Sequence, residues 1–200
     1  MFSLARPTAA RIAEFLAMQE GAPFSYTEVG ATRGPPLPRY TVDHNRVRLG
    51  SGIDVFDRAA TALRRWRMLS LGWAAVHPPG TQIEQGRAVA VVARHYGFWS
   101  LNACRIVYVV DDVGRVDGVR RFGFAYGTLP DHGAVGEERF MVEWRPADDS
   151  VWYDLYALSR PGHPLAGLGY PLARRLQRRF ARASKRAMMA AAASADVGAL

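Results

Sequence analysis

Between residues 71 and 159 apolar side chains alternate with polar ones, and turn-forming residues interrupt the pattern at short intervals. Alternation is typical of a strand that buries one face. It predicts six strands, at residues 71–76, 87–95, 98–110, 120–128, 137–145 and 151–159. The connections are too short to hold a crossover helix, so consecutive strands must pair antiparallel in a meander.

Helical patterns flank this run of strands. Apolar residues recur at helical spacing in residues 8–19 and 54–68, and a last helix is predicted from residue 163 or 164 to residue 189. The buried stripe of the last helix is predicted to comprise Leu165, Leu168, Leu172, Leu176 and Phe180. A short strand is predicted at residues 24–29. We expect one α+β domain over residues 1–190 and a disordered tail at residues 191–200.

An antiparallel sheet needs an element to cover its apolar face, and the C-terminal helix is the only predicted element long enough. The predicted fold is a curved antiparallel sheet of about six to seven strands that grips this helix, with two helices near the N-terminus. This topology resembles the helix-grip architecture of the START and Bet v 1-like superfamily. The resemblance implies an apolar ligand held between the sheet and the helix.

Composition is that of a globular protein, because 49% of the residues are hydrophobic and 22% are charged. The one cysteine, Cys104, has no partner for an intrachain disulfide, which favours a reducing, cytoplasmic location. The N-terminal pattern predicts an amphipathic helix rather than a signal peptide. No window of the sequence is long and apolar enough to predict a transmembrane helix.

The net charge of +8 is concentrated near the C-terminus, where seven of the 26 basic residues lie between positions 174 and 186 with no acidic residue among them. The candidate basic surface comprises Arg174, Arg175, Arg178, Arg179 and Arg182. It is either a solvated helix face or a weak contact for a partner or an anionic membrane surface. Nucleic acid binding is not favoured, because the interleaved apolar residues belong to the core stripe and leave no aromatic ring for base stacking.

The segment from residue 122 to residue 140 reads FGFAYGTLPDHGAVGEERF. Together with YTEVG at 26–30, LGSG at 49–52, LGW at 71–73, NACRIVY at 102–108 and SRP at 159–161, it resembles the domain of unknown function 1990 family, also called uncharacterised protein family 0548. The motifs extend over residues 24–180. The resemblance implies no assigned reaction and supplies no catalytic residues.

The loop between the fourth and fifth predicted strands collects several ionisable groups. His132 with Glu137 or Glu138 has the chemistry of a general acid and base. The structural alternative is a hairpin loop whose polar groups cap turns or form ion pairs, and a further alternative is that these groups make polar contacts to a ligand. One imidazole and two adjacent carboxylates are too few for a metal site, and the sequence lacks the common nucleotide-binding motifs, so neither a metal nor a cofactor is predicted.

Alternation separates the two glutamates. Glu138 shares a face with Phe140, Val142 and Trp144, which must be the inner face, so it is predicted at the mouth of the core. Glu137 is predicted to face outward and is the weaker candidate. An inward carboxylate must be hydrogen-bonded, paired or protonated, unless its position at the strand end lets it reach water.

The strand at residues 101–110 is apolar on both faces, so we expect it to be central and covered on both sides. Asn102 or Arg105 must then be satisfied internally, and an Arg105–Glu138 pair is predicted, either as a structural ion pair or as an anchor for a ligand. The predicted aromatic lining is Trp99, Phe124, Tyr126, Phe140 and Trp144. The full set of ligand-binding candidates is Asn102, Arg105, Tyr126, Thr128, Glu138 and Trp144.

The leading hypothesis is a module that binds a small-molecule or lipid-like ligand in a cavity between the sheet and the C-terminal helix. One alternative is an enzyme on the same scaffold, with Glu138 and His132 as acid and base. Another alternative is contact with a partner or an anionic surface through the basic helix.

Overall fold

The computed structural model describes residues 1–114, 117–161 and 170–194, and all of its strands belong to one antiparallel sheet. The strands are β1 (Phe2–Ser3), β2 (Thr41–Ser51), β3 (Ala74–His77), β4 (Ala88–His95), β5 (Phe98–Asp112), β6 (Arg120–Thr128), β7 (Ala134–Arg145) and β8 (Ser150–Pro161). The main sheet has the order β2-β8-β7-β6-β5-β4-β3, and β1 pairs with β5. The sheet is curved and does not close into a barrel, since β2 and β3 remain its two edges.

The predicted meander is confirmed, because β3 to β8 each pair antiparallel with the next strand along the chain. Short turns with little room for other structure enforce this order. The strand expected at residues 71–76 is shorter and begins later, at Ala74. The strand expected at residues 137–145 begins earlier, at Ala134.

Two assignments near the N-terminus are corrected. The strand predicted at residues 24–29 is wrong, because this segment is a loop without ladder pairing. The edge strand β2 was not predicted, because the DHNR run at its centre has low strand propensity. Pairing with β8 stabilises β2, and two of its inner side chains, Val47 and Leu49, pack against the main core.

The first two helices cover opposite faces of the sheet. Helix α1 (Ala9–Met18) is capped by Thr8, whose side chain accepts from the Arg11 amide, and it packs on the outer face of β4 and β5. Helix α2 (Ile53–Arg64) packs on the inner face, where its apolar side meets Phe124 and Phe140 of β6 and β7. Strand β5 is therefore covered on both sides, as its sequence predicts.

A bulge in β5 alters the predicted alternation. Ile106 pairs with Tyr126 and Tyr108 pairs with Ala125, so Val107 is an extra residue on this strand. Tyr108 was expected on the same face as Ile106, but it lies in an outer cluster and its hydroxyl is 2.8 Å from that of Thr32.

The C-terminal helix α3 (Tyr170–Ala193) packs on the inner face of the sheet beside α2. Its predicted start at residue 163 or 164, and Leu165 and Leu168 of the predicted stripe, lie outside the described residues. The helix continues to Ala193, so residues 191–193 are helical rather than part of a tail. No helix in the described ranges has the length and apolarity needed to cross a membrane.

The two halves of α3 have different environments. Of the predicted stripe, Leu172 is 44% exposed and Leu176 is only partly buried, whereas Phe180 packs against Phe140 of the core as predicted. In the second half the buried side chains are those of Ala181, Ser184, Met188 and Ala192. The second half packs into the core, whereas the first half contacts the sheet through Arg174, Gln177 and Phe180 and also lines an open space above it.

Candidate functional site

A cavity of about 690 Å³ lies between the inner face of the sheet and the first half of α3. Strands β4 to β8 and β2 line one side, and the other side is formed by Leu172, Leu176 and Phe180 of α3. Most of the lining is apolar. The volume is in the range of sites that bind small molecules in other proteins.

Glu138 and Tyr126 form the polar centre of the sheet wall. They are register partners on β7 and β6, and the Tyr126 hydroxyl donates to Oε2 of Glu138 at 2.8 Å. Burial raises the pKa of Glu138 to about 7; the hydrogen bond from Tyr126 acts in the opposite direction, and the negative charge of Asp43 adds to the increase. Burial also raises the pKa of Tyr126, so the phenol is protonated at neutral pH. As predicted, Glu138 faces inward.

A second polar group lies on the β4–β5 wall. The side-chain amide of Asn102 donates to Oγ of Ser100 at 3.0 Å, and the same hydroxyl lies 3.2 Å from Nε2 of His95. Burial lowers the pKa of His95, and the charge of Arg179 contributes to the decrease. The Nδ1 atom of His95 is buried and has no hydrogen-bond partner among the described residues. This wall therefore offers neutral polar groups.

His132 also lines the cavity, at the end where β6 leads into β7. Its Nδ1 atom lies 2.8 Å from the carbonyl oxygen and 3.0 Å from the amide nitrogen of Ala134. Burial lowers the pKa of His132 to about 4, so the ring is neutral at physiological pH. A neutral imidazole in this position can accept a proton only weakly.

Two ligand-binding candidates lie outside the cavity. Arg105 is on the outer face, where its guanidinium donates to the carbonyl oxygens of Gln19 and Ala22 at 3.0 and 2.7 Å. The predicted Arg105–Glu138 pair is therefore wrong, because the two residues are on opposite faces of the sheet. Trp144 packs at the far end of β7, and its indole nitrogen donates to Asp149.

The other candidates are placed around the cavity. Asn102, Tyr126, Thr128 and Glu138 all line it, although the Thr128 hydroxyl already bonds to the backbone of Gly136. Of the aromatic residues predicted as lining, only Tyr126 is among the cavity residues in the described structure. Phe124 and Phe140 are fully buried in the core below it, and the aromatic lining comes instead from Phe2, Trp73, Phe98 and Phe180.

The five arginines of the predicted basic surface have different environments in the structure. Arg174 forms a bidentate ion pair with Asp43 of β2, with Nη2 donating to Oδ1 at 2.7 Å. The Arg179 guanidinium stacks over Trp73, 4.1 Å from the ring centroid. Arg175, Arg178 and Arg182 are exposed, and the last two border the cavity. The solvent-facing charge is therefore smaller than the sequence suggests.

Glu137 has a structural role that sequence reasoning missed. It faces outward as predicted but is only 3% exposed, because the loop before β2 covers it. Tyr26 and the amide of Gly30 donate to Oε2 at 2.8 and 2.7 Å, and Thr32 donates to Oε1 through its amide and its hydroxyl. The two adjacent glutamates therefore differ: Glu137 accepts hydrogen bonds from the covering loop on the outer face, and Glu138 faces the cavity. In the sequence, only the two consecutive glutamates at positions 137 and 138 could have indicated this role of Glu137.

Among the described residues, neither a metal site nor a reactive thiol lies near the cavity. Nowhere in the residues that the structure describes do three His, Cys, Asp or Glu side chains come together as a possible metal site. The thiol of Cys104 is fully buried, and burial raises its pKa well above the ordinary range.

Sequence comparisons match nearly the whole chain to one family. The family model described as "Domain of unknown function (DUF1990)" matches residues 25–187. A UPF0548 protein from Dictyostelium discoideum is 32% identical over 196 residues, which cover 90% of each chain. A UPF0548 protein from Deinococcus radiodurans is 37% identical over 205 residues, covering 96% of this chain and 99% of the relative.

A structural comparison agrees on the fold. The crystal structure of TTHA0849 from Thermus thermophilus is similar with a TM-score of 0.52, covering 78% of this chain and 99% of that one. The two sequences are 11% identical, so the likeness concerns the fold alone.

Proposed function

Since the chain belongs to the DUF1990 family, whose description names no activity, we propose a function from the cavity: the protein binds a small, largely apolar molecule between its sheet and helix α3. The observation that carries the proposal is an apolar space of about 690 Å³ with a few polar groups on its walls. Binding sites for small molecules combine apolar walls with a few placed polar groups in this way.

The packing of α3 supports the proposal. Its second half is packed in the core and Phe180 contacts Phe140 of the sheet, so the helix is held in place, whereas Leu172 and Leu176 in its first half line the cavity. If stability alone decided the packing, larger side chains would fill this space, because empty volume in a core is destabilising. A bound molecule supplies the missing contacts.

Native mass spectrometry of the protein purified from its own host tests for a bound molecule, and titration with Nile red tests the cavity. We expect Nile red to bind wild-type protein and to bind Ala157→Phe much more weakly, because this side chain would occupy the cavity. Met18→Phe, at an exposed position of α1, is the matched control and should bind like wild type. Equal binding by both variants, or no binding by wild type, would reject the proposal.

The second candidate function is an enzyme that moves a proton with Glu138. It is favoured by one observation: the carboxyl group is held by Tyr126 inside the cavity with a pKa of about 7, which suits acid–base work at neutral pH. Lyase, cyclase and ester-hydrolase substrates can be screened with wild type, Glu138→Gln and His132→Ala. Full turnover by Glu138→Gln would exclude this role, and full turnover by His132→Ala would exclude His132.

Contact with an anionic surface stays a proposal restricted to the exposed part of α3. Arg178 and Arg182 border the cavity, and so do the exposed side chains of Leu172 and Phe2, so the cavity has both cationic and apolar groups exposed to solvent. Binding to vesicles with phosphatidylserine should weaken with salt and in the double variant Arg178→Ala/Arg182→Ala. Binding that is insensitive to both would contradict it.

A further inference from the structure

The sheet wall of the cavity carries two carboxylates and a phenol in one row across four strands. Asp43, Ala157, Glu138 and Tyr126 are successive register partners across β2, β8, β7 and β6. Directly paired residues of an antiparallel sheet share a face, and neighbouring strands are about 4.8 Å apart. The two carboxylates therefore face the same cavity from strands about 10 Å apart, which is two strand spacings.

The two carboxylates differ in how their charge is balanced. Asp43 has the guanidinium of Arg174 in a bidentate pair. Glu138 accepts one hydrogen bond, from the Tyr126 hydroxyl to Oε2, and in the described structure no donor reaches its Oε1. No described lysine or arginine forms an ion pair with it, and its charged neighbour is the like-charged Asp43.

The other cations near the cavity serve other partners. Lys185 donates to Oδ1 of Asn45, and Arg179 stacks on Trp73. Arg178 and Arg182 are exposed at the rim, where water screens their charge. The interior of the cavity therefore presents a negative or neutral carboxyl group to any ligand, with no cation among the described residues positioned to receive an anionic head group.

Building on the function proposed above, we propose that the ligand carries a protonated amine on an apolar body and places the amine against the Glu138 carboxylate. An ammonium group supplies both the missing hydrogen-bond donor and the missing opposite charge. A fatty acid or other carboxylate would lie beside the Glu138 carboxyl group and leave its own charge unpaired in an apolar space, which is strongly unfavourable.

Three probes that share one ring system test the head group. They are 2-(1-naphthyl)ethylamine, 1-ethylnaphthalene and 1-naphthylacetic acid, each small enough for a cavity of about 690 Å³. Calorimetric titration near pH 8, where Glu138 is mostly ionised, should give amine affinity about tenfold or more above that of the hydrocarbon, since a hydrogen bond to a charged group contributes about 1.5–3 kcal/mol. The acid should bind more weakly than either.

Two variants test whether Glu138 causes the preference for the amine. In Glu138→Gln the preference for the amine over the hydrocarbon should fall by about tenfold, while hydrocarbon affinity stays within about twofold of wild type. Glu14→Gln, the same chemical change at an exposed position of α1, is the matched control and should keep the amine preference. Circular dichroism and thermal unfolding establish that each variant is folded.

A second measurement uses wild type alone. Near pH 7, amine binding should release protons, because an ammonium beside Glu138 favours its ionised form, and titration in two buffers of different ionisation enthalpy detects this release. An equal affinity for amine and hydrocarbon, or a tighter acid, would overturn the head-group inference while leaving the cavity function intact. Failure of all three probes to bind would reject the proposed function together with the inference.

Discussion

Ionisation of Glu138 should weaken the fold as the pH rises, which is the reverse of the usual behaviour of a carboxylate. Its folded pKa of about 7 lies above the ordinary value of 4.5. Between these two values the folded protein holds a proton that the unfolded chain has lost. The free energy of unfolding contributed by this group is therefore fully present below pH 4.5 and is lost as the pH rises through about 7.

The magnitude follows from the displacement of the pKa. Moving from 4.5 to about 7 corresponds to about 3 kcal/mol, at about 1.4 kcal/mol for each unit. The titratable groups that interact electrostatically with Glu138 from other strands are Tyr126, Tyr153, Cys104 and Asp43. Burial raises the pKa of both tyrosines and of the thiol above neutrality, so these three stay protonated across the range.

Urea unfolding of wild type and Glu138→Gln between pH 4.5 and pH 8.5 measures the effect. Comparing the two proteins at each pH cancels the titration of all other groups. The stability of the variant relative to wild type should rise by about 3 kcal/mol across this range, with most of the change between pH 5 and 7.5. Tyr126→Phe should move the change to higher pH, because it removes a hydrogen bond that favours the ionised form. Parallel stability curves for wild type and Glu138→Gln would refute the reasoning.

Three further outcomes test the structure around the site. Glu137→Ala should lose about 3 kcal/mol or more in urea unfolding, because buried donors lose their acceptor, and a loss below about 1 kcal/mol would contradict that role. Gly127→Ala should lower the thermal midpoint, because the new Cβ would overlap the Tyr26 hydroxyl and approach its ring to 2.9 Å, and part of this loss should disappear when Tyr26→Phe is already present. Met188→Ala should lower the free energy of unfolding by about 3 kcal/mol, whereas Leu172→Ala should change it by no more than about 0.5 kcal/mol. Equal losses would contradict the finding that the second half of α3 is buried and Leu172 is exposed.

The meander and the inward direction of Glu138 were accessible from the sequence because both follow from local rules. Alternation along β7 places Glu138 on the same face as Phe140 and Val142 without reference to any other strand. Short turns force neighbouring strands to pair antiparallel. Neither inference depends on how distant segments meet.

Several sequence-based predictions were wrong because the contacts that decide them join residues distant in sequence. Arg105 binds carbonyl groups of the segment after α1, more than 80 positions away, and no local pattern signals this contact. The bulge at Val107 reverses the faces of the residues after it, which alternation cannot detect. The polar strand β2 was missed because its ladder with β8 overrides the low strand propensity of its central residues.

The sequence by itself determined the antiparallel order of β3 to β8 and the face on which each glutamate of the EE pair lies, because turn length and alternation are properties of neighbouring residues. The tertiary structure alone decided that a loop from the N-terminal part of the chain satisfies Glu137, whereas Glu138 faces a cavity with a single phenol as donor among the described residues. Packing creates this difference, since it is the meeting of distant segments that sets which carboxylate is neutralised by hydrogen bonds and which one retains capacity for a ligand.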